Sequence, residues 1–192
     1  MADSLGTSPL LSPDSPFTSA HKEPAWYLRA YVRALGRDVR NSSVWAYMLS
    51  VTHHGSSPRS MHCEDVAVEA LTLARTLHIN VSERELVRAA LLHDGFRYDW
   101  KIKSERARFH AFVHGRFAVC EAEKEFRLTK KERNCIEAHM FPVATAVPVS
   151  KEAWLISVAD KICCAREYKK ACGCGSFLKA FVKVRFAKKC NR

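Results

Sequence analysis

The chain has 192 residues, of which 47% are hydrophobic, and it carries a formal net charge of +11. This length suits a single folded domain with a sizeable core. No stretch approaches eighteen consecutive apolar residues, and the N-terminus lacks a basic segment followed by an apolar one, so the sequence predicts neither a membrane-spanning helix nor a secretory signal. The eight cysteines form no Cys-x-x-Cys pair, and we expect reduced thiols and a cytoplasmic protein.

Charge and composition divide the chain into three parts. Residues 1–24 contain five serines and four prolines with few large apolar side chains, a composition typical of a disordered leader. Residues 25–168 carry the helical periodicity of a folded domain. Ten Lys or Arg residues lie between 161 and 192 against one acid, and residues 169–192 are predicted to form a basic amphipathic segment. That segment either packs on the domain as a helix or offers a surface to nucleic acid or an anionic membrane.

The first predicted helices lie before residue 60. Residues 25–35 predict a helix that ends at Gly36, and a second helix is expected from about Asp38. Gly55 marks the end of that second region, since glycine favours the backbone of a helix stop. Pro58 then begins a third helix, because the missing N–H of proline costs nothing in a first turn.

The next two helices place histidines on their apolar faces. His62 lies on the apolar stripe of the helix that follows Pro58, so it is expected to point inward. Ser82 and Glu85 have the spacing of a capping box, and His93 falls in line with the apolar stripe of the helix that they begin. Asp94 follows directly. A buried carboxylate beside a buried imidazole is costly unless it is paired or bound to a metal.

Three later predicted helices also carry histidine or aspartate on the side expected to be buried. His110 and His114 are four residues apart and so lie one above the other on a helix. A second capping box begins at Thr129, and the helix that it opens carries His139. The last helix of the domain is apolar nearly all round from Ala153, with Asp160 as its one charge before Lys161. About seven helices and no convincing strand alternation predict an all-α fold, a single helical bundle.

Buried histidines on several helices favour a shared metal. One buried histidine is usually a hydrogen-bonded core residue, but packing alone hardly explains the same costly choice on several separate helices. Mixed imidazole and carboxylate ligands suit one or two divalent transition-metal ions (Mn, Fe, Zn, Co or Ni) better than Ca²⁺. The candidate metal ligands are His62, His93, Asp94, His114, His139 and Asp160.

These residues resemble a known family, the HD-domain metal-dependent phosphohydrolases. The resemblance lies in the order of His62, His93-Asp94 after two leucines, and Asp160 before Lys161. The phrases HHGSSPRSMH, LLHD-x-x-x-YDW, HAFVHG, IEAHMFP and SVADK are similar to those of small bacterial HD proteins. The resemblance covers about residues 50–168 and implies a single HD-type bundle.

The resemblance also implies a division of the ligands between two metals. It makes His62, His93, Asp94 and Asp160 the ligands of one ion. The additional imidazoles resemble the superfamily members with two metals, and Asp94 would then bridge to a second ion held by His114 and His139. Gly95 and Arg97 depart from the bulkier apolar residues expected in the bacterial subgroup, which leaves the shape of the pocket open.

The implied activity is that of a phosphohydrolase acting on a phosphorylated small molecule. We expect cleavage of a phosphomonoester or phosphodiester, with a nucleotide as the favoured substrate, by metal-activated water. The candidate catalytic residues are Asp94, which would orient the water, His110, which is either a partner behind a metal ligand or a phosphate contact, and Lys161. The candidate substrate-binding residues are Arg59, Arg97 and His54. Lys161, Arg59 and His54 have solvated positions as the alternative reading.

Two other functions stay open at this point. The same scaffold with iron can activate O₂, so an iron-dependent oxygenase is the first alternative. The second is a nucleic-acid-binding or regulatory protein that uses the basic C-terminus, which salt-dependent retention on nucleic acid would reveal. The oligomeric state is not evident from the sequence.

Overall fold

The structure of the protein is a computed structural model that describes residues 23–52, 57–98 and 110–172. Its helices are α1 Ala25–Leu35, α2 Arg37–Arg40, α3 Ser43–Ser50, α4 Arg59–Thr76, α5 Glu83–Leu92, α6 His110–Ala122, α7 Lys130–Ala138 and α8 Lys151–Cys172. Within this part of the chain the β-type pairing is confined to an isolated bridge between Thr52 and Pro58. The predicted all-α fold is confirmed.

Some predictions fall outside this region. Most of the predicted leader, His54, and the basic segment beyond residue 172 lie outside the described residues. None of the helices that the structure describes combines the length and the apolar character needed to cross a bilayer.

The region expected to be one second helix is two helices. Ser42 separates them, because its hydroxyl accepts a hydrogen bond from the Trp45 N–H (3.1 Å) and donates one to the Val39 carbonyl (2.6 Å). It thus follows the C-cap of α2, Asn41, and provides the N-cap of α3. A serine whose hydroxyl accepts from a free N–H at a helix start can begin a new helix, even where the apolar periodicity predicts one continuous helix.

Of the two predicted capping boxes, one forms. The Thr129 hydroxyl accepts from the Glu132 N–H (3.1 Å), and the Thr129 N–H donates to the Glu132 carboxylate (2.8 Å), so this box is confirmed. The box predicted at Ser82 and Glu85 is wrong, since Ser82 makes no side-chain cap hydrogen bond. Its N–H donates instead to Glu152 on α8 (3.0 Å), a partner distant in sequence.

Four helices surround the common interior. Helix α4 packs against α5 and α8, and α7 lies against the same two helices. Helix α6 packs on α7, while α1 and α3 cover α4. The apolar stripes that predicted these helices meet in the core, with Val66, Ala70, Leu86, Ala90 and Ile156 fully buried. The polar residues on the same stripes therefore also face the interior.

Gly115 permits an unusually close approach of α6 to α7. A Cβ atom at this position would lie 2.7 Å from the Glu137 carbonyl oxygen and 2.9 Å from that of Ile136. Backbone atoms cannot move aside as a flexible side chain can. The glycine therefore sets how near His114, its chain neighbour, comes to α7.

The Gly115→Ala variant should separate α6 from α7. We expect the free energy of unfolding to fall by about 1–3 kcal/mol, the usual cost of forcing an extra carbon into a packed contact. Urea denaturation followed by circular dichroism measures this. The exposed neighbour Arg116 provides the matched control, since Arg116→Ala should change stability by about 0.5 kcal/mol or less. Equal stability of Gly115→Ala and the parent would show that the contact is loose.

Candidate metal centre

The structure brings the six candidate metal ligands together in the interior of the bundle. They come from five places in the chain: α4, the end of α5, the start of α6, the end of α7, and α8. All six are buried: His62, His93, Asp94, His114, His139 and Asp160. Burying this many ionisable groups in one place requires strong mutual compensation or a bound cation.

Three of the imidazoles are held by helix carbonyls. His93 and His139 are the C-cap residues of α5 and α7, and in each the Nδ1–H donates to the carbonyl three residues earlier at 2.7 Å. The His114 Nδ1–H donates to the His110 carbonyl at 2.8 Å. A carbonyl only accepts, so Nδ1 must carry the proton, and in the neutral ring Nε2 presents a lone pair. This is the arrangement that a metal-binding histidine requires.

The first group of donor atoms comprises His62, His93, Asp94 and Asp160. The Asp160 Oδ1 atom lies 3.2 Å from His62 Nε2 and 3.8 Å from His93 Nε2, and Asp94 Oδ2 lies 3.9 Å from the latter. The His93 ring is 0% exposed, and its Nε2 has no hydrogen-bond partner among the described residues. Ligands about 2.0–2.2 Å from one ion lie roughly 3–3.5 Å from each other. A divalent ion would fit here with small adjustments and would satisfy the His93 nitrogen.

The second group comprises Asp94, His114 and His139. Asp94 Oδ1 lies 3.3 Å from His114 Nε2 and 3.7 Å from His139 Nε2. The two Nε2 atoms are 2.7 Å apart. Because both rings use Nδ1–H on carbonyls, two neutral rings would point lone pairs at each other, and a proton or a metal ion between them would relieve the repulsion. Asp94 faces both groups, one carboxylate oxygen to each.

The histidines of the metal-free cluster differ widely in pKa. Burial acts to lower the pKa of His62, but its hydrogen bonds to Asp160 and Glu167 raise that pKa to about 10. Burial, together with the neighbouring imidazoles, lowers the pKa of His139 to about 3. The cluster therefore keeps a proton on His62 and excludes one from His139 at neutral pH.

The stability of the metal-free protein should pass through a maximum near pH 6.5. Below that value the unfolded chain binds a proton at His139 that the folded chain refuses until about pH 3, so the free energy of unfolding falls as the pH drops. Above it the folded chain keeps the His62 proton that the unfolded chain loses, so the stabilisation is lost as the pH rises toward about 10. Urea midpoints measured in chelator across this range test both limbs.

His62→Gln is the matched variant for the alkaline limb. It removes the raised pKa, so the decline above about pH 6.5 should weaken while the acid limb stays. A parent midpoint that climbs steadily from neutral to alkaline pH would contradict the assigned direction for His62.

Glu167 is a member of the site that the sequence reasoning missed. Its Oε1 atom accepts a hydrogen bond from His62 Nδ1 at 2.8 Å. It lies on α8 seven residues after Asp160, so the two carboxylates share one helix face. That spacing was the available signal, but in the sequence Glu167 stood out only as the single acid of a basic region. A carboxylate behind an imidazole fixes its orientation and makes its other nitrogen a better donor.

Replacing Glu167 by glutamine should weaken metal binding about 10- to 100-fold, the usual cost of losing the partner of a metal-binding histidine. The amide still accepts the hydrogen bond but no longer supplies charge. Competition with a chromophoric chelator measures the dissociation constant. Glu69→Gln is the matched control, because Glu69 pairs with Arg166 on the same two helices away from the imidazoles. Equal affinities in both variants would remove Glu167 from the site.

His110 lies directly behind the second group. Its carbonyl holds the His114 ring, and its own ring stacks on that of His114 with a centroid distance of 4.5 Å. The Tyr98 hydroxyl lies 2.9 Å from His110 Nδ1. Of the two roles considered for His110, the contact with a metal-ligand candidate is seen, and contact with a phosphate stays a prediction.

Lys161 does not lie where the sequence reasoning expected. Its ammonium group donates to the His139 carbonyl (2.9 Å) and to the carbonyl and hydroxyl of Ser157 (both 3.0 Å). An ammonium group has three protons, and these contacts use all three. Lys161 therefore joins α8 to the end of α7, rather than standing free for a phosphate or in solvent.

Arg59 is buried, with 2% of its surface exposed. It donates to the Phe96 carbonyl at 2.7 Å, and its guanidinium lies over the Phe96 ring, 3.8 Å from the centroid. A longer contact of 3.4 Å reaches the Asp94 carbonyl. Neither expected role, phosphate contact or solvated side chain, matches this position. The side chain instead supports the backbone that carries Asp94.

Arg97 points away from the cluster. Its guanidinium pairs with Glu121 (3.5 Å) and Glu125 (3.2 Å) near the far end of α6 and donates to the Ser43 hydroxyl. The expected contact with a phosphate at the metal centre is not supported, because two carboxylates already neutralise this charge. His54 lies outside the described residues.

One comparison with known proteins gave a match. A family model described as HD domain matches residues 59–164, which is more than half of the chain. The matched range contains all six candidate ligands. Neither the comparison with curated proteins nor that with solved structures gave a match.

Proposed function

This chain belongs to the HD-domain family, and from that membership we propose that it is a metal-dependent phosphohydrolase that cleaves a phosphomonoester or phosphodiester, with nucleotides as the first substrate class to test. HD domains bind divalent metals and are generally metal-dependent hydrolases. The phosphate ester and the roles of individual residues belong to the proposal.

One observation carries the proposal: imidazole nitrogens and carboxylate oxygens from five parts of the chain meet in the buried interior. Among them His93 Nε2 has no hydrogen-bond partner within the described residues. This donor set suits transition-metal ions better than Ca²⁺. In the proposed assignment His62, His93, Asp94 and Asp160 hold one ion, and Asp94, His114 and His139 hold the other.

The donor set also favours an anionic substrate. Two divalent ions bring four positive charges, and Asp94 and Asp160 offset two of them, so the pair keeps a positive balance that attracts a phosphate. When bound, the ions would neutralise charge on the phosphoryl oxygens and make water a stronger nucleophile near neutral pH. Asp94, which faces both groups, is assigned to orient the attacking water by accepting a hydrogen bond from it.

Protonation of the leaving group is assigned to His110. It is partly buried beside His114, and the Tyr98 hydroxyl 2.9 Å away holds its ring. Departure of an alkoxide requires a proton, and an imidazole is the side chain best suited to supply one near neutral pH. Arg59 donates to the carbonyls of Asp94 and Phe96, so it acts on the reaction through the position of Asp94.

The test is a hydrolysis screen with the full chain purified without chelators. Protein loaded in turn with Mn, Fe, Zn, Co or Ni is offered nucleotides and simple phosphate esters, and phosphate release is measured. We expect turnover that chelator removes and added metal restores. Metal-replete, folded protein that hydrolyses nothing in the screen would refute the proposal. Substrate turnover that requires O₂ would assign the metal centre to oxygenase chemistry instead.

A further inference from the structure

Cys164 lies beside the first group of donor atoms. It is on α8, one helical turn after Asp160, and its Sγ atom is 3.4 Å from Asp160 Oδ1. The ligand atoms of His62, Asp160 and Cys164 all lie within 4.8 Å of one another. Residues four apart on a helix share a face, so α8 presents the carboxylate and the thiol to the same volume.

A second, independent observation indicates that this volume accepts a cation. The fully buried His93 Nε2, which has no hydrogen-bond partner among the described residues, faces Asp160 Oδ1 at 3.8 Å. A neutral ring nitrogen with Nδ1 committed to a carbonyl can only accept, so it requires a proton donor or a metal ion. The thiol therefore borders a group of donor atoms in which the His93 nitrogen has no hydrogen-bond donor among the described residues.

We propose that Cys164 is a thiolate ligand of the metal held by His62, His93, Asp94 and Asp160. The inference rests on the proposed metal centre and adds a ligand to it. On binding, a sulfur–metal bond forms and the S–H proton passes to solvent, since a coordinating thiol is deprotonated. Sulfur is a soft ligand, so this position should favour Zn²⁺, Co²⁺ or Fe²⁺ over Mn²⁺ and Mg²⁺.

The neighbouring Cys163 supplies the matched control. It is buried in the hydrophobic core of the bundle, whereas Cys164 is only partly buried and faces Asp160. Cys63 lies with its sulfur 3.9 Å from the Met48 sulfur, and Cys120 is exposed on α6. Substituting Cys164 by serine removes the soft donor with little change in size.

Cobalt spectroscopy of the full chain tests the inference without relying on catalysis. Protein loaded with Co²⁺ should show a thiolate-to-cobalt charge-transfer band in the near ultraviolet, together with the visible d–d bands of bound cobalt. Cys164→Ser should lose the charge-transfer band and keep the visible bands. Cys163→Ala should keep both. The preference of Cys164→Ser for Zn²⁺ over Mn²⁺, measured by competition, should fall by about tenfold or more.

The outcomes separate this inference from the function on which it rests. Visible bands without a charge-transfer band in the parent would overturn the thiolate ligand and leave the metal centre in place. A charge-transfer band that persists in Cys164→Ser would also overturn it, because the sulfur would come from another cysteine. If folded parent protein binds no cobalt, the metal centre itself fails, and this inference fails with the proposed function.

Discussion

Asp94→Asn should leave the protein without either metal ion and reduce turnover by more than about 100-fold. Loss of a mere partner of a metal ligand costs about 10- to 100-fold, and Asp94 faces both groups of donor atoms directly. One of its oxygens lies 3.9 Å from His93 Nε2, and the other lies 3.3 Å from His114 Nε2. Asparagine keeps the shape but supplies no charge, and no other carboxylate of the described cluster faces both groups.

Metal content per chain by plasma mass spectrometry and phosphate release measure the effect of Asp94→Asn. Asp65→Asn is the matched control, because Asp65 pairs with Arg29 on the outer side of α4. Circular dichroism establishes that both variants are folded. If Asp94→Asn kept a full complement of metal, the assignment of Asp94 as the shared ligand would be wrong.

His139→Ala should empty the second metal position and leave the first occupied. His139 Nε2 lies 2.7 Å from His114 Nε2 and 3.7 Å from Asp94 Oδ1, so its loss leaves the second ion with two protein ligands. The four candidate ligands of the first ion are unchanged. We therefore expect about one ion per chain in place of about two, and a loss of turnover of at least about 100-fold if hydrolysis needs both ions.

His62→Ala is the reciprocal variant for this experiment. His62 belongs to the first group alone, with its Nε2 atom 3.2 Å from Asp160, so its loss should weaken metal binding at the first position and spare the second. Metal content measured in the two variants side by side distinguishes two positions from one. Unchanged metal content in His139→Ala would refute the two-metal assignment.

Local sequence patterns were sufficient to predict most of the helices and the inward direction of the histidines. His62 and His93 lie in line with apolar residues three or four positions apart, and such a stripe must face the core whatever the partner helix is. The Thr129 capping box also formed as predicted, because both of its hydrogen bonds join residues three apart in the chain. Interactions of this range need no tertiary partner, although a tertiary partner can displace them.

The failed local prediction has a tertiary cause. At Ser82 the backbone N–H, which a capping box would engage, donates to Glu152 on α8, 70 positions away in sequence. A partner of that separation cannot be read from a local motif. The prediction of one long second helix failed for a different reason. Ser42 caps the start of α3, and the apolar pattern of the sequence gives no sign of this cap.

The destinations of the charged side chains likewise depended on the packing. Arg59 reaches Phe96, and Arg97 reaches Glu125, in each case a partner that the folded chain brings near. A long side chain can reach several acceptors, and the packing decides which of them is near. The sequence therefore identified these residues as candidates but could not predict their partners. The same reason explains why Lys161 was nominated for a phosphate and is found on backbone carbonyls.

The sequence by itself thus determined an all-α bundle, an HD-type order of candidate ligands and the inward direction of those six side chains, because helical periodicity and the order of residues are properties of the linear chain. Tertiary structure alone decided that Asp94 faces two groups of donors, that Glu167 contacts His62, and that Cys164 lies near His62. Each of these is a contact between helices separated by tens of residues. Such contacts arise only when α4, α5, α6, α7 and α8 pack around one core.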